Sequence, residues 1–370
     1  MEPTGRTSEV RRRRIRRAKR RVAPPSAERD RFILVTGGAG YVGSHAAKAL
    51  GRAGFHPILL DNLSTGHMEL VHWGTFEKGD VGDELRVKIL FARYPIFAVM
   101  HFAAHAYVGE SVVDPGRYYL NNVGKTMVLL EAMRASGVKR IIFSSSCAVY
   151  GNPLSLPLKE DHPQNPVSPY GKSKQMVEEI IEDYCRAYEF RAVCLRYFNA
   201  SGADLEGETG ELHDPETHLI PLALRAGTQG GGKLKIFGAD YPTADGTCVR
   251  DYVHVSDVAS AHMLALDYLE KGGESTAFNL GNGTGFSVRQ VIQGVEKVRG
   301  ESIPQVIAER RPGDPPILIS DSTKVRQVLG WEPAIPDLET IITSAWAWEQ
   351  KRRTPDVLRG DTRRLPIRPA

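Results

Sequence analysis

The chain has 370 residues, 41% hydrophobic and 25% charged, which suits a soluble globular protein of two domains or one large α/β unit with a second lobe. That balance excludes collagen-like, disulfide-scaffold and wholly disordered classes, and no apolar run approaches the ~20 residues of a membrane span. The formal charge of +4 sits on the ends: residues 1–31 carry +8 and residues 351–370 carry +5, leaving −9 on residues 32–350. An acidic body exerts no general pull on nucleic acid, so no nucleic-acid partner is expected.

In chain order, residues 1–31 read as a disordered basic leader, because nine of the eleven residues from Arg11 to Arg21 are Arg or Lys and repel one another. No apolar stretch follows, so this is not a secretory signal. From residue 32 the pattern alternates short apolar runs with helical ones. Strands are predicted at 32–36, 57–60, 97–102, 140–145 and 192–197. Helices are predicted at 41–53, 84–94, 118–136 and 170–188. This alternation predicts an α/β fold with a Rossmann-like, doubly wound parallel sheet over 32–199. After Asn199 the segments shorten and Gly and Pro become frequent. Residues 200–350 are read mainly as a smaller α/β substrate-binding lobe, with helices at 255–269 and 288–299 and a strand at 278–280. The stretch near 255–285 is read as returning to the first domain. Residues 351–370 read as a tail. The four cysteines, Cys147, Cys185, Cys194 and Cys248, form no C-x-x-C pair. They read as reduced thiols of a cytoplasmic protein, and no metal site is expected.

Two motifs carry chemistry. Thr36-Gly37-Gly38-Ala39-Gly40-Tyr41-Val42-Gly43 lies where a strand turns into a helix, with glycines 37, 40 and 43 spaced G-x-x-G-x-x-G. Without Cβ atoms they let backbone N–H groups approach a diphosphate at the helix start. Asp61, followed by Asn62, ends the second strand, where a carboxylate accepts both hydroxyls of an adenosine ribose and repels a 2′-phosphate, favouring NAD over NADP. Asp80 and Val81, just before the helix predicted at 84–94, are placed beside adenine. The second motif is Tyr170-Gly171-Lys172-Ser173-Lys174. Tyr170 and Lys174 share one helix face. Bringing a tyrosine from its usual pKa to about 7 requires roughly 4 kcal/mol, which the Lys174 ammonium and an oxidised nicotinamide are expected to provide. Ser146 is placed to relay the proton between substrate and Tyr170.

Ser146-Cys147-Ala148 stands where nucleotide-sugar 4,6-dehydratases carry an acid–base pair, so water elimination has no catalyst here. Further stretches include Leu60-Asp61-Asn62-Leu63, His101-Phe102-Ala103-Ala104, Ser168-Pro169-Tyr170, Leu195-Arg196-Tyr197-Phe198-Asn199, Asp245 to Tyr252 and Arg310 to Asp314. Taken with the two motifs, residues 32 to about 350 resemble the UDP-glucose 4-epimerases of the extended short-chain dehydrogenase/reductase family.

The resemblance implies a bound NAD and a UDP-sugar substrate, inverted at C4 through a transient 4-keto sugar. It also implies that Phe102, Ala103, Asn121 and Ser144 line the nicotinamide side with Lys174. Asn199, Arg250 and Arg311 would hold the diphosphate, Leu219 and Phe237 the uracil, and Asp314 the uridine ribose. A homodimer formed through helices 118–136 and 170–188 is implied as well. The sequence departs from relatives at Ala106, at His218 and at Leu318, the last near a position that sets sugar size. UDP-arabinose/xylose and UDP-N-acetylhexosamine 4-epimerases share every catalytic residue and remain alternatives. A non-catalytic NAD sensor is a remote one, disfavoured by the intact Tyr170, Lys174 and Ser146.

Overall fold

The structure, a computed structural model, describes residues 31–228, 230–311 and 314–353. The expected leader lies outside these residues except for Arg31. The expected tail begins too early: the last helix, Leu338–Arg353, runs through residue 350, and the rest of the tail lies outside the described residues.

Strands β1 (Phe32–Thr36), β2 (His56–Asp61), β3 (Thr75–Lys78), β4 (Ile96–His101), β5 (Arg140–Ser146) and β6 (Arg191–Tyr197) are followed by β7 (Asn199–Ser201), β8 (Leu234–Phe237), β9 (Val249–His254) and β10 (Thr276–Leu280). Seven of them form one all-parallel sheet in the order β10-β6-β5-β4-β1-β2-β3. The inner strands are largely apolar on both faces because both faces are covered, while edge strand β3 is largely polar and exposed at both ends. Ile33 and Val35 of β1 pack with Ala46 and Leu50 of helix Tyr41–Arg52 and with Val258 and Ala265 of helix Val255–Glu270. Leu34, between them in sequence, packs on the other face with Leu90, Leu129 and Val177, from helices Glu84–Arg93, Lys125–Ser136 and Pro169–Tyr188. Each such buried aliphatic side chain contributes about 1.5–3 kcal/mol. Strand order reverses direction between β1 and β4, which opens a crevice at their carboxyl ends, where doubly wound sheets bind ligands.

The helix expected over 118–136 is divided. Pro115 starts it early as Pro115–Tyr118, with Asp114 capping the Arg117 N–H. It widens to a π-turn over Tyr119–Gly124 before resuming as Lys125–Ser136. Such widenings gather at functional sites. Here Asn122 within the turn accepts the His105 N–H at 2.8 Å and donates to the His105 carbonyl and to Ser173 Oγ, each at 3.0 Å.

Beyond β6 a second lobe forms around β9, which pairs in parallel with β7 and with β13 (Ile317–Leu318) and antiparallel with β11 (Gly285–Ser287). A further parallel pair joins β8 to β12 (Gln305–Ala308). This lobe has its own core, including Ile220, Leu224, Tyr252, Val291 and Ile341. Strand β10 returns to the main sheet beside β6, and helix Val255–Glu270 packs on helix Tyr41–Arg52. Among the described residues no helix is long and apolar enough to cross a membrane.

Candidate active site

A single cavity of about 940 Å³ runs from the crevice between β1 and β4 to the second lobe. At its inner end lies the glycine turn. Gly37 has φ +70°, and a Cβ there would sit 2.7 Å from the Ala103 nitrogen; on Gly43 it would sit 2.2 Å from the Gly37 carbonyl. No side chain caps helix Tyr41–Arg52 at Gly40, so its first backbone N–H groups are left for an anion. The turn is braced from below by a buried chain of hydrogen bonds, Thr36 Oγ1 to His101 Nδ1 (2.6 Å) and His101 Nε2 to Thr126 Oγ1 (2.8 Å). Burial, helped by Lys174, lowers the His101 pKa to about 3, so the ring is neutral.

Asp61 ends β2 nearly buried, and its carboxylate accepts N–H groups from Ala39 (3.0 Å) and Leu63 (2.8 Å). Burial raises its pKa; the two N–H groups oppose the rise without cancelling it. Asp80 accepts from Asn62 (2.8 Å), Gly82 N (2.7 Å) and Lys125 Nζ (2.7 Å). Burial would raise its carboxyl, but these partners, Lys125 first, hold it below the ordinary value. Gly37, Gly40, Tyr41, Val42, Gly43, Asp61, Asn62, Asp80 and Val81 all line this end, with Phe102, Ala103 and Asn121 beside them. The bare glycine cradle, the uncapped helix and the carboxylate on β2 fit the adenosine diphosphate half of NAD.

Mid-cavity, helix Pro169–Tyr188 begins with Pro169 in its first turn and Ser168 accepting the Gly171 N–H at 3.2 Å. That start presents Tyr170 and Lys174 on the buried face. Ser146, the last residue of β5, accepts the Ala148 N–H at 3.2 Å, and both Ser146 and Tyr170 line the cavity. Lys174 donates to the Ser144 carbonyl at 2.7 Å, and its Nζ stands 5.9 Å from the Tyr170 ring centre. Ser144 and Lys174 lie behind the cavity wall, Ser144 Oγ sharing a 2.6 Å hydrogen bond with the Tyr197 hydroxyl.

The ionisation expected of Tyr170 rests on Lys174 and an oxidised nicotinamide together, and the protein taken alone supplies only the first. Burial pushes the Tyr170 phenol above its usual value, Tyr197 adds to the rise, and Ser146 only moderates it. Burial also lowers the Lys174 pKa to about 7, against the pull of Glu178. The low-dielectric pocket penalises both charges, so Lys174 does not by itself ionise its neighbour.

At the outer end, Arg250 on β9 and Arg311 both bond to the Asp314 carboxylate, Arg311 at 2.9 Å. The Arg311 guanidinium lies 5.0 Å from the centre of the Phe237 ring. Asn199 on β7 and Leu219, the first residue of helix Leu219–Arg225, line the same end. Two guanidinium groups on one carboxylate leave a net positive charge facing the cavity, suited to a diphosphate. Sequence reasoning missed Lys125, Asn122 and Tyr197, and also the cavity-lining run from Glu211 to His218. Only the run had a signal, the spacing Glu211-x-His213-x-x-Glu216-x-His218.

Residues 33–281 match the NAD dependent epimerase/dehydratase family. The UDP-glucose 4-epimerase of Rhizobium meliloti (strain 1021) is 51% identical over 320 residues, 86% of this chain and 97% of that one. The crystal structure of UDP-glucose 4-epimerase from Brucella ovis in complex with NAD is 50% identical, with a TM-score of 0.83 over 86% of this chain and 98% of that one. The Bifidobacterium longum UDP-glucose 4-epimerase in complex with NAD+ and UDP is 38% identical, with a TM-score of 0.82 over 86% and 98% of the two chains. With this cradle, this tyrosine and these matches, the chain belongs to the NAD dependent epimerase/dehydratase family.

Proposed function

We propose that Tyr170 and Ser146 carry the proton transfers of a UDP-hexose 4-epimerase, interconverting UDP-glucose and UDP-galactose by inversion at C4 through a 4-keto sugar. One observation supports this above the others: Ser146 and Tyr170 both line a cavity that joins the glycine cradle to the arginine pair. Bound NAD would supply the hydride transfer at C4 and a positive charge that the protein alone lacks. Gly37, Gly40, Gly43 and Asp61 would hold it. Tyr170 takes the proton of the sugar 4-hydroxyl, directly or through Ser146, and gives it back after inversion. Lys174, fixed on the Ser144 carbonyl, orients the catalytic helix face and supports the phenolate. Arg250 and Arg311 grip the diphosphate, and Leu219 and Phe237 flank the uracil. Binding energy is then spent on the nucleotide, which leaves the sugar free to turn between the two hydride transfers.

The decisive measurement is turnover of UDP-galactose by Tyr170→Phe. A fall of about 10²–10⁴-fold with an unchanged circular dichroism spectrum is expected; a rate above a tenth of wild type would remove Tyr170 from this role. Running UDP-N-acetylgalactosamine and UDP-arabinose alongside assigns the sugar, to which half-buried Leu318 on β13 is exposed through the cavity.

We infer a cytoplasmic homodimer. All four cysteines are free thiols. Exposed Leu120 and Met127, on the segment between Pro115 and Ser136, support association through that face; sedimentation at two concentrations tests it.

A further inference from the structure

The loop between β7 and helix Leu219–Arg225 brings together four side chains that the reaction does not use. Glu211, His213, Glu216 and His218 each offer a ligand atom, all within 4.8 Å of one another. The Glu211 Oε1 atom lies 2.9 Å from His213 Nδ1 and 2.8 Å from His218 Nδ1. Glu216 Oε1 lies 3.0 Å from His218 Nδ1 and 3.9 Å from His213 Nδ1. In a tetrahedron of ligands about 2.0–2.1 Å from a zinc ion, neighbouring ligand atoms stand about 3.3 Å apart. The four separations bracket that edge.

The surroundings point the same way. The side chains of Glu211 and Glu216 are only 7% and 3% exposed, so with little water at hand the two carboxylates depend on the His213 and His218 rings for compensation. Glu216 Oε1 fixes the turn by accepting the backbone N–H groups of Thr217 (2.8 Å) and His218 (2.9 Å), yet its other oxygen is buried with no hydrogen-bond partner. The Arg225 guanidinium comes no closer to that oxygen than 3.8 Å, and one of its own nitrogens is also unpartnered. Two imidazoles and two carboxylates form a nitrogen–oxygen set that suits zinc and its first-row neighbours.

We propose that Glu211, His213, Glu216 and His218 bind a divalent metal ion of the zinc class, which fixes the loop closing one side of the nucleotide cavity. Four protein ligands leave no open position, so the site is structural and takes no part in the hydride or proton transfers. Its leverage comes from position. The His213 ring packs edge-on against Tyr41, 6.1 Å away in the cofactor-cradling turn, and against Tyr107, 6.0 Å away in the loop after β4. His218 immediately precedes Leu219, at the mouth of the uracil end. Pinning the loop therefore sets both nucleotide-facing walls. The sequence reading expected no metal because it searched cysteine spacing, and these ligands lie on an irregular loop with no helical period.

The test uses the full-length, tag-free chain after dialysis against a chelator. Titrated with Co2+, it is expected to take up one equivalent with the intense visible absorption of a tetrahedral nitrogen–oxygen site. Zn2+ should displace the cobalt and raise the melting temperature. His213→Ala and Glu211→Gln should each weaken Zn2+ binding at least tenfold. Absence of saturable uptake by the wild-type chain overturns the proposal and leaves the cluster neutralised by protons. So does a sulfur-to-cobalt charge-transfer band, which would place the ion on cysteine, or uptake unchanged in folded variants. If a variant fails to fold, the wild-type stoichiometry and cobalt spectrum still decide.

Discussion

The two ends of the cavity recognise phosphate by different means. The inner end uses backbone: glycines 37, 40 and 43 clear space, and an uncapped helix start offers N–H groups. The outer end uses long side chains, Arg250 and Arg311, gathered by Asp314 from a short strand and a loop. Backbone recognition is rigid and fails if a single methyl is added. Side-chain recognition is adjustable and fails by degrees. An enzyme that keeps one cofactor and exchanges substrates benefits from placing the rigid device inside and the adjustable one at the mouth.

Three experiments break or sharpen this contrast. The largest effect is expected from Gly43→Ala, whose Cβ would stand 2.2 Å from the Gly37 carbonyl. Displacing that turn costs more than about 3 kcal/mol, so NAD retention should fall roughly 100-fold or more while UDP still binds, both read by calorimetry. Equal loss of UDP affinity would show that the two ends are not independent. Arg250→Ala should act in reverse. Loss of charge-assisted hydrogen bonds of about 1.5–3 kcal/mol weakens UDP binding roughly 10–100-fold, with bound NAD unchanged.

The last experiment concerns pH. Burial lowers the pKa of His101 to about 3 and those of His45, His254 and His262 to about 4. Unfolded, these rings take protons as pH falls through 6.5, whereas folded they do not, so they lower stability as pH falls over that window, offset in part by buried Asp251 and Asp257, whose carboxyls, raised to about 6, take up protons in the fold. The melting temperature should therefore drop between pH 7 and pH 5, by about 2–4 °C for each kcal/mol lost. His101→Asn should flatten the slope. A melting temperature indifferent to pH in this range would mean these rings are already charged in the fold.

The same contrast explains what could be read in advance. Strands β1, β2, β4, β5 and β6 announce themselves because a strand covered on both faces is largely apolar, as Ile33-Leu34-Val35 is, whereas edge strand β3, Thr75-Phe76-Glu77-Lys78, carries no such run. The glycine spacing, Asp61 and the Tyr170–Lys174 pair are legible because local geometry alone brings their groups together. In the second lobe, β7 is only Asn199-Ala200-Ser201 and β13 only Ile317-Leu318; their pairing with β9 comes from tertiary packing, which leaves no period in the sequence. The Glu211–His218 cluster shows only as a Glu/His spacing, because its side chains converge through an irregular loop with no period. The π-turn at Tyr119–Gly124 was hidden inside an ordinary helical pattern, since what widens it is the bonding of Asn122 to His105. Burial, the dominant influence on both Tyr170 and Lys174, has no signature in sequence.

The interleaving of the two lobes has an evolutionary corollary. After β9 the polypeptide re-enters the main sheet through helix Val255–Glu270 and β10, leaves it for β11 to β13, and touches it again through helix Thr323–Leu329. No single cut frees either part, so recombination between genes cannot swap one lobe for another as it swaps beads on a string. New sugar preferences in such an architecture must arise by point changes and by insertions in the loops that rim the mouth, while the scaffold is inherited whole.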